Sequence, residues 1–311
     1  MNATTTRGTL LAALACVLVG GSFTANSLLG DYPYAGGQFL RYALAFLLLL
    51  PLAGPGAGAR LRTLGAGRWL RLALLAAVGM VGFNLAVLAA ERTAEPAVPG
   101  VFVGCAPVVV AVLVPLLDGR RPQRAVLHGA TLVAVGAFTV QGWGRTDGAG
   151  LAFSVCALAG EVGFAVLAVP VLRPLGPRLL SAVVCGIAAV ESAVAGVSAD
   201  GAGWLRRPDA VETGALLWQA VVVTVVGFVC WYMGMQRIGA ERATLFSGLI
   251  PVAAACTAPL VGTGAYGAAQ AAGSALVFAG VAVGSGALPR FARRRGAGTG
   301  HGFAERSLEK L

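Results

Sequence analysis

Charge is scarce in this 311-residue sequence: Asp, Glu, Lys and Arg together make up 12% of it, against roughly 25% in soluble domains. Histidine is scarcer still, with His128 and His301 the only two, which argues against a metal-centred or histidine-based enzyme. The six cysteines, Cys16, Cys105, Cys156, Cys185, Cys230 and Cys256, all fall within apolar runs and show neither a disulfide framework nor zinc spacing. A nucleophile elbow, a Walker loop and a dinucleotide fingerprint are absent. No cofactor, metal or catalytic centre is therefore expected, and the chain is not read as an enzyme.

What is abundant is hydrocarbon. The sequence is 57% hydrophobic with a mean hydropathy of +0.80, and a run of about 20 apolar residues spans a bilayer as a helix. Ten runs qualify, near 8–29, 35–53, 69–90, 96–117, 125–142, 149–169, 179–198, 213–235, 242–262 and 268–288. The first continues past Gly20 to Leu29 without a clear small-residue cleavage site, so it reads as a retained span and not a signal peptide. The net charge of +10 raises the question of nucleic acid, but its placement answers it. With ten spans both termini lie on one side, which then holds 18 of the 23 basic residues, while the other holds only Arg92, Arg145, Arg206 and Arg207. That asymmetry is the positive-inside rule. The expectation is a multi-pass protein of the cell membrane with both termini cytoplasmic, partnered by lipid and not by nucleic acid.

A duplication is the strongest internal signal. Setting residue n against n + 144 aligns 102–136 with 246–280, with 12 identities in 35 positions, among them Phe102/Phe246, Gly104/Gly248, Pro107/Pro251, Pro115/Pro259, Gly129/Gly273 and Gly136/Gly280. Upstream, Gly82-Phe83 and Arg92 meet Gly227-Phe228 and Arg237 at n + 145, and Cys16, Leu18 and Gly20 meet Cys156, Leu158 and Gly160 at n + 140. Each half holds five spans, 8–142 and 149–289, joined by an external linker at 143–148 and flanked by a short tail at 1–7 and a basic tail at 290–311 that is expected to be disordered. An odd number of spans inverts the second copy in the membrane. The expected fold is an all-α membrane protein of ten transmembrane helices in two inverted five-helix repeats, a device that recurs in secondary transporters with substrate held between the halves.

Gly100, Gly104, Pro107 and Ala111 fall at i, i+4, i+7 and i+11, as do Thr244, Gly248, Pro251 and Ala255, so each set lies on one helical face. Such a bare face lets another helix approach closely or opens backbone to a cavity where proline has freed a carbonyl. Both readings stand, and Pro107, Pro251, Gly104 and Gly248 are the candidate gating positions. Gly129, Gly136, Gly273, Gly280 and Gly284 form a second small-residue set, read as packing within the bundle or at a homodimer contact.

A chain of this length in two five-helix halves, with F-x-G-x-x-P-V at 102–108 and F-S-G-L-I-P-V at 246–252, an arginine early in the second span (FLRYALAFLLLL, Arg41) and the paired glycines of the fifth and tenth spans, resembles the EamA-type exporters of the drug/metabolite transporter superfamily. The resemblance covers about 8–288. It implies export of amino acids, other metabolites or drugs through a central cavity lined mainly by the first, third, fourth, sixth, eighth and ninth helices. The loop after the fourth span, DGRRP, departs from the glutamate that many relatives carry nearby.

On those helices the polar residues are Ser22 and Asn26, Asn84, Thr224, Trp231 and Tyr232, and Ser247. A membrane-helix Ser or Thr usually bonds its own backbone, whereas the Asn26 and Asn84 amides must find partners. Trp231 and Tyr232 read either as pathway or as an interfacial belt. Three charges lie within spans: Arg41, Glu161 and Glu191. Arg41 and Glu191 both fall in the outer half of their helices, where they could pair or the arginine could snorkel outward; structural pairing is the favoured reading for Glu191, and Arg41 joins the polar residues above as a candidate for the substrate or proton pathway. Glu161 sits mid-run in LAFSVCALAGEVGFAVLAVP (151–170), where a charge costs at least about 2.5 kcal/mol, and is expected to serve the substrate or proton pathway. A scaffold or lipid-embedded enzyme is the competing class, but a scaffold needs no charge at the midplane, and an enzyme needs convergent groups this chain does not offer.

Overall fold

A computed structural model describes residues 3–95, 97–142, 144–262 and 265–286; the tail expected at 290–311 lies outside the described residues. Those residues are helical, and their one β-type pairing is an isolated antiparallel bridge between Ala94 and Thr146. In chain order the long helices are α1 (Ala3–Ser27), α2 (Tyr34–Leu52), α3 (Ala66–Glu91), α4 (Val98–Leu117), α5 (Arg124–Gln141), α6 (Gly148–Asp200), α7 (Ala210–Ile238), α8 (Ala240–Leu260) and α9 (Ala268–Ser285). A short helix, Ala57–Arg62, precedes α3. All but α5 are long and apolar enough to cross a membrane, eight helices among the described residues. Helix α1 begins at Ala3, so most of the tail expected at 1–7 is already helical.

The largest departure from the expected spans is α6, which runs 53 residues and takes in both 149–169 and 179–198. Its regularity breaks once, at Gly176, where φ is 75° and ψ 164°, a conformation natural only to glycine. Pro174 and Pro177 flank it, and each removes a helical N–H donor. Arg60 braces the break by donating from Nη1 to the Leu175 carbonyl (2.9 Å) and from Nη2 to that of Ala53 (2.9 Å). Helix α7 opens on a capping box, with Asp209 accepting from the Glu212 N–H and Glu212 from that of Asp209, both at 2.8 Å.

Helix irregularities repeat along with the sequence. The α3 backbone passes through a π-helical stretch at Ala77–Gly82 and the α7 backbone through another at Trp218–Val226. Adding 145 carries the first onto 222–227, largely inside the second. Helix α4 is interrupted at Cys105, and the 3-10 stretch of α8, Thr244–Gly248, ends at the repeat counterpart of Gly104. A π-bulge leaves carbonyls outside the regular ladder and is frequent at functional sites.

Helix α6 is the spine of the bundle, with α2, α3, α4 and α7 against it, while α1 rests on α7 and α8, and α5 on α9. Hydrophobicity does not hold helices together in lipid, so close backbone approach must. A Cβ added at Gly79 would lie 2.7 Å from Phe164 Cα, one at Gly160 2.9 Å from the Val78 carbonyl, and one at Gly20 2.6 Å from that of Ile250. The second glycine set is likewise spent within the chain: Gly129 faces Gly280 and Gly284, and Gly136 faces Gly273, across α5 and α9.

Candidate functional site

Two groups of polar side chains stand out in the apolar interior. The first is a chain of contacts at one end of the bundle, where α1 and α3 end and α2 and α7 begin. Asn26 accepts from Gln219 Nε2 at 2.5 Å. Thr224, five residues on in the π stretch of α7, donates to the Gln219 carbonyl (2.8 Å) and accepts from Arg41 Nε (2.7 Å). The Arg41 guanidinium also lies 5.3 Å from the centre of the Tyr42 ring, within cation–π range. Asn84 Nδ2 donates to the Met80 carbonyl (2.7 Å), within the π stretch of α3, and lies 3.2 Å from Tyr42 Oη, while Tyr34 Oη donates to Asn84 Oδ1 at 3.1 Å. Four helices are thus tied together through side chains that engage both π stretches.

Arg41 is 8% exposed and forms no ion pair among the described residues. The expected pair with Glu191 is absent. The two residues fall at the same level of the α2–α6 contact, between Gly196 against Ala35 and Gly186 against Phe46. Rotation about the helix axes separates them: Arg41 is turned to α7 and bonded to Thr224, and Glu191 keeps one buried oxygen without a partner.

The second group surrounds Glu161, about 20 Å along α6 at 1.5 Å per residue. Glu161 is half-buried, has no hydrogen bond or ion pair among the described residues, and neither of its oxygens is sealed from accessible space. Cys16 of α1 is within electrostatic reach of it. On either side along α6 stand Gly160, whose added Cβ would lie 2.9 Å from Phe83 Cβ, and Phe164, whose ring centre is 5.4 Å from that of Phe228 and 5.7 Å from that of Tyr232. Phe83 and Phe228 are repeat counterparts, so the duplication converges on the turns of α6 that bracket Glu161.

The remaining expected residues divide. Trp231 and Tyr232 are core residues, 7% and 0% exposed, which removes the interfacial-belt reading; Trp231 Nε1 and Tyr232 Oη are buried without hydrogen-bond partners. Ser22 and Ser247 bond their own helices, at the carbonyls of Val19 (2.6 Å) and Thr244 (2.8 Å). Pro107 and Pro251 are buried. Gly104 lies against Ala137, and Gly248 against Val133 and Val277, so these two faces are occupied by helix packing. Sequence reasoning missed Gln219, Tyr34 and Tyr42. A lone amide within LLWQAVVVTVV was a signal for the first; tyrosines near the start of an apolar run carry none.

The chain's relatives agree with the duplication. A family model described as the EamA-like transporter family matches residues 6–141 and 148–285. The chain belongs to that family. A solved crystal structure of a protein superposes on this EamA-like chain with a TM-score of 0.73, at 21% identity, covering 89% of this chain and 96% of the other; at that identity the likeness establishes the fold alone. No curated protein matches the sequence. The chain is a transporter-like, multi-pass membrane protein of two-repeat architecture.

Proposed function

We propose that the protein is a secondary transporter that exports small metabolites across the cytoplasmic membrane by alternating access, with a proton exchanged at Glu161 as the coupling step. Glu161 carries this reading. It is an unpaired, half-buried carboxylate midway along an apolar run, bracketed by repeat-equivalent phenylalanines, and an ionisable residue in such a place is functional by default. A purely structural carboxylate is normally paired. Ten passes in two inverted halves follow if α5 crosses and α6 crosses twice, turning at Gly176. The basic residues then gather on the cytoplasmic side with both termini.

Protein-dependent flux of labelled solutes into proteoliposomes tests the transport reading, since a scaffold gives none. Glu161→Gln tests the coupling, because it keeps shape and hydrogen bonding while removing the proton. The variant is expected to reach the membrane in normal amounts, to retain solute exchange and to lose pH-driven net flux. Wild-type pH dependence in this variant would leave Glu161 to packing.

A further inference from the structure

We propose that Arg41 is the docking point for a carboxylate on the transported solute, and that the solute carries that single negative charge. The inference rests on the transport reading and names a substrate class for it.

A guanidinium inside a membrane bundle is costly unless an anion or a set of carbonyls answers its charge. Arg41 has only one hydrogen bond among the described residues, from Nε to the Thr224 hydroxyl. That hydroxyl spends its own proton on the Gln219 carbonyl, so its lone pair is directed to Nε and the guanidinium is held in one orientation. Tyr42 supports the group from its ring. Nη1 and Nη2 carry no hydrogen bond, yet neither is sealed from accessible space. What remains open is the two-nitrogen edge, whose fork geometry matches the two oxygens of a carboxylate.

The surroundings restrict the charge. The residues that bond or stack on Arg41 are Thr224 and Tyr42; Gln219, Asn84 and Tyr34 complete the contact chain, and all are uncharged. The partners that bond or stack on this one cation are neutral, and the charged group nearest the rest of the contact chain, Glu91 beside Tyr34, is itself an acid, which favours a monocarboxylate over a phosphate dianion. Glu191, level with Arg41 on α6, does not serve as its counterion.

The test uses the full chain in proteoliposomes and three sets of labelled probes: neutral amino acids and hydroxy acids, quaternary ammonium cations, and uncharged polyols. Flux of the carboxylates is expected, with competition by each acid at least about tenfold stronger than by its amide, the range of a lost hydrogen bond to a charged group. Arg41→Gln should abolish carboxylate flux at normal membrane levels, and Arg41→Lys should restore part of it. Thr224→Val, which keeps the shape and frees Nε, should raise the KM for the carboxylate several-fold with little change in maximal rate; it decides the matter if Arg41→Gln does not reach the membrane. Flux of cations or polyols without carboxylates overturns the inference and leaves the transporter reading standing. So does equal competition by acid and amide, or an unchanged carboxylate KM in Thr224→Val. No protein-dependent flux of any probe overturns both.

Discussion

Tyr232 ends in a hydroxyl that meets no hydrogen-bond partner although the side chain is 0% exposed, and its ring lies 5.7 Å from Phe164 and 6.3 Å from Phe228. A buried hydroxyl without a partner costs about 1–3 kcal/mol, so Tyr232→Phe is expected to raise the thermal unfolding midpoint of the purified protein. If the same variant also slows flux, the hydroxyl belongs to the pathway beside Glu161; unchanged flux with raised stability makes the ring packing its whole role. At this scale the sequence was legible wherever a polar atom interrupts an apolar run, which is why Glu161, Arg41, Asn26 and Asn84 stood out. Their partners were less so. Depth along a helix can be counted from its ends, but which way a side chain faces depends on helix rotation, and that is why Arg41 was expected on Glu191 and is bonded to Thr224.

Between α5 and α9 the two backbones approach closely, and glycine makes it possible. A Cβ on Gly273 would lie 2.6 Å from the Val140 nitrogen and 2.7 Å from the Gly136 carbonyl, and one on Gly136 2.7 Å from the Val277 nitrogen. These are backbone atoms of the facing helix and cannot swing aside. Gly136→Ala or Gly273→Ala is therefore expected to cost about 1–3 kcal/mol, read as a lower melting midpoint in detergent. Gly58→Ala, which meets nothing within 4 Å and lies in the short helix Ala57–Arg62, is the control and should leave the midpoint unchanged or raise it slightly. Because these glycines are consumed inside one chain, any homodimer must use another surface. The prolines act differently. Pro107 follows the break at Cys105, and Pro251 follows the 3-10 stretch at Thr244–Gly248. Replacing both with alanine restores the missing N–H donors and favours continuous helices. Flux is expected to fall at normal membrane levels, and normal flux in the double variant would remove these breaks from the transport cycle. The duplicated prolines and glycines showed in the sequence that α4 and α8 share a break, but the π stretches did not, since AVGMVG and WQAVVVTVV hold no residue that forces one.

The bundle as a whole is closed at its two ends by different clasps. At one end Glu95 pairs with Arg145 at 2.8 Å beside the Ala94–Thr146 bridge, on the rim of an open depression of about 620 Å³. This clasp ties the α3–α4 connection to the linker between the halves. At the other end Arg120 pairs with Glu241 at 2.8 Å and with Asp118 at 2.7 Å, which joins the α4–α5 loop of the first half to the start of α8 in the second. Of these two ion-pair clasps, it is the second that joins the halves directly. Hydrogen bonds from Arg145 hold the Glu95 carboxyl below its ordinary value of 4.5, so that clasp is intact at neutral pH and its contribution is lost as pH falls below about 4.5. At pH 7 the two ends can thus be unfastened separately by mutation. Reporter cysteines at Thr244 and Val98, both buried at 2% exposure and near opposite ends, read access through thiol labelling. If the halves rock as units, Glu241→Gln, which leaves Arg120 with Asp118, opens its own end and closes the other. Labelling at Thr244→Cys should then rise by up to about fivefold, the worth of a partly exposed ion pair, while labelling at Val98→Cys falls. Glu95→Gln should not raise labelling at Thr244→Cys. Labelling that rises at both reporters in Glu241→Gln would mean that the clasp merely stabilises the fold and that the two repeats do not rock as units.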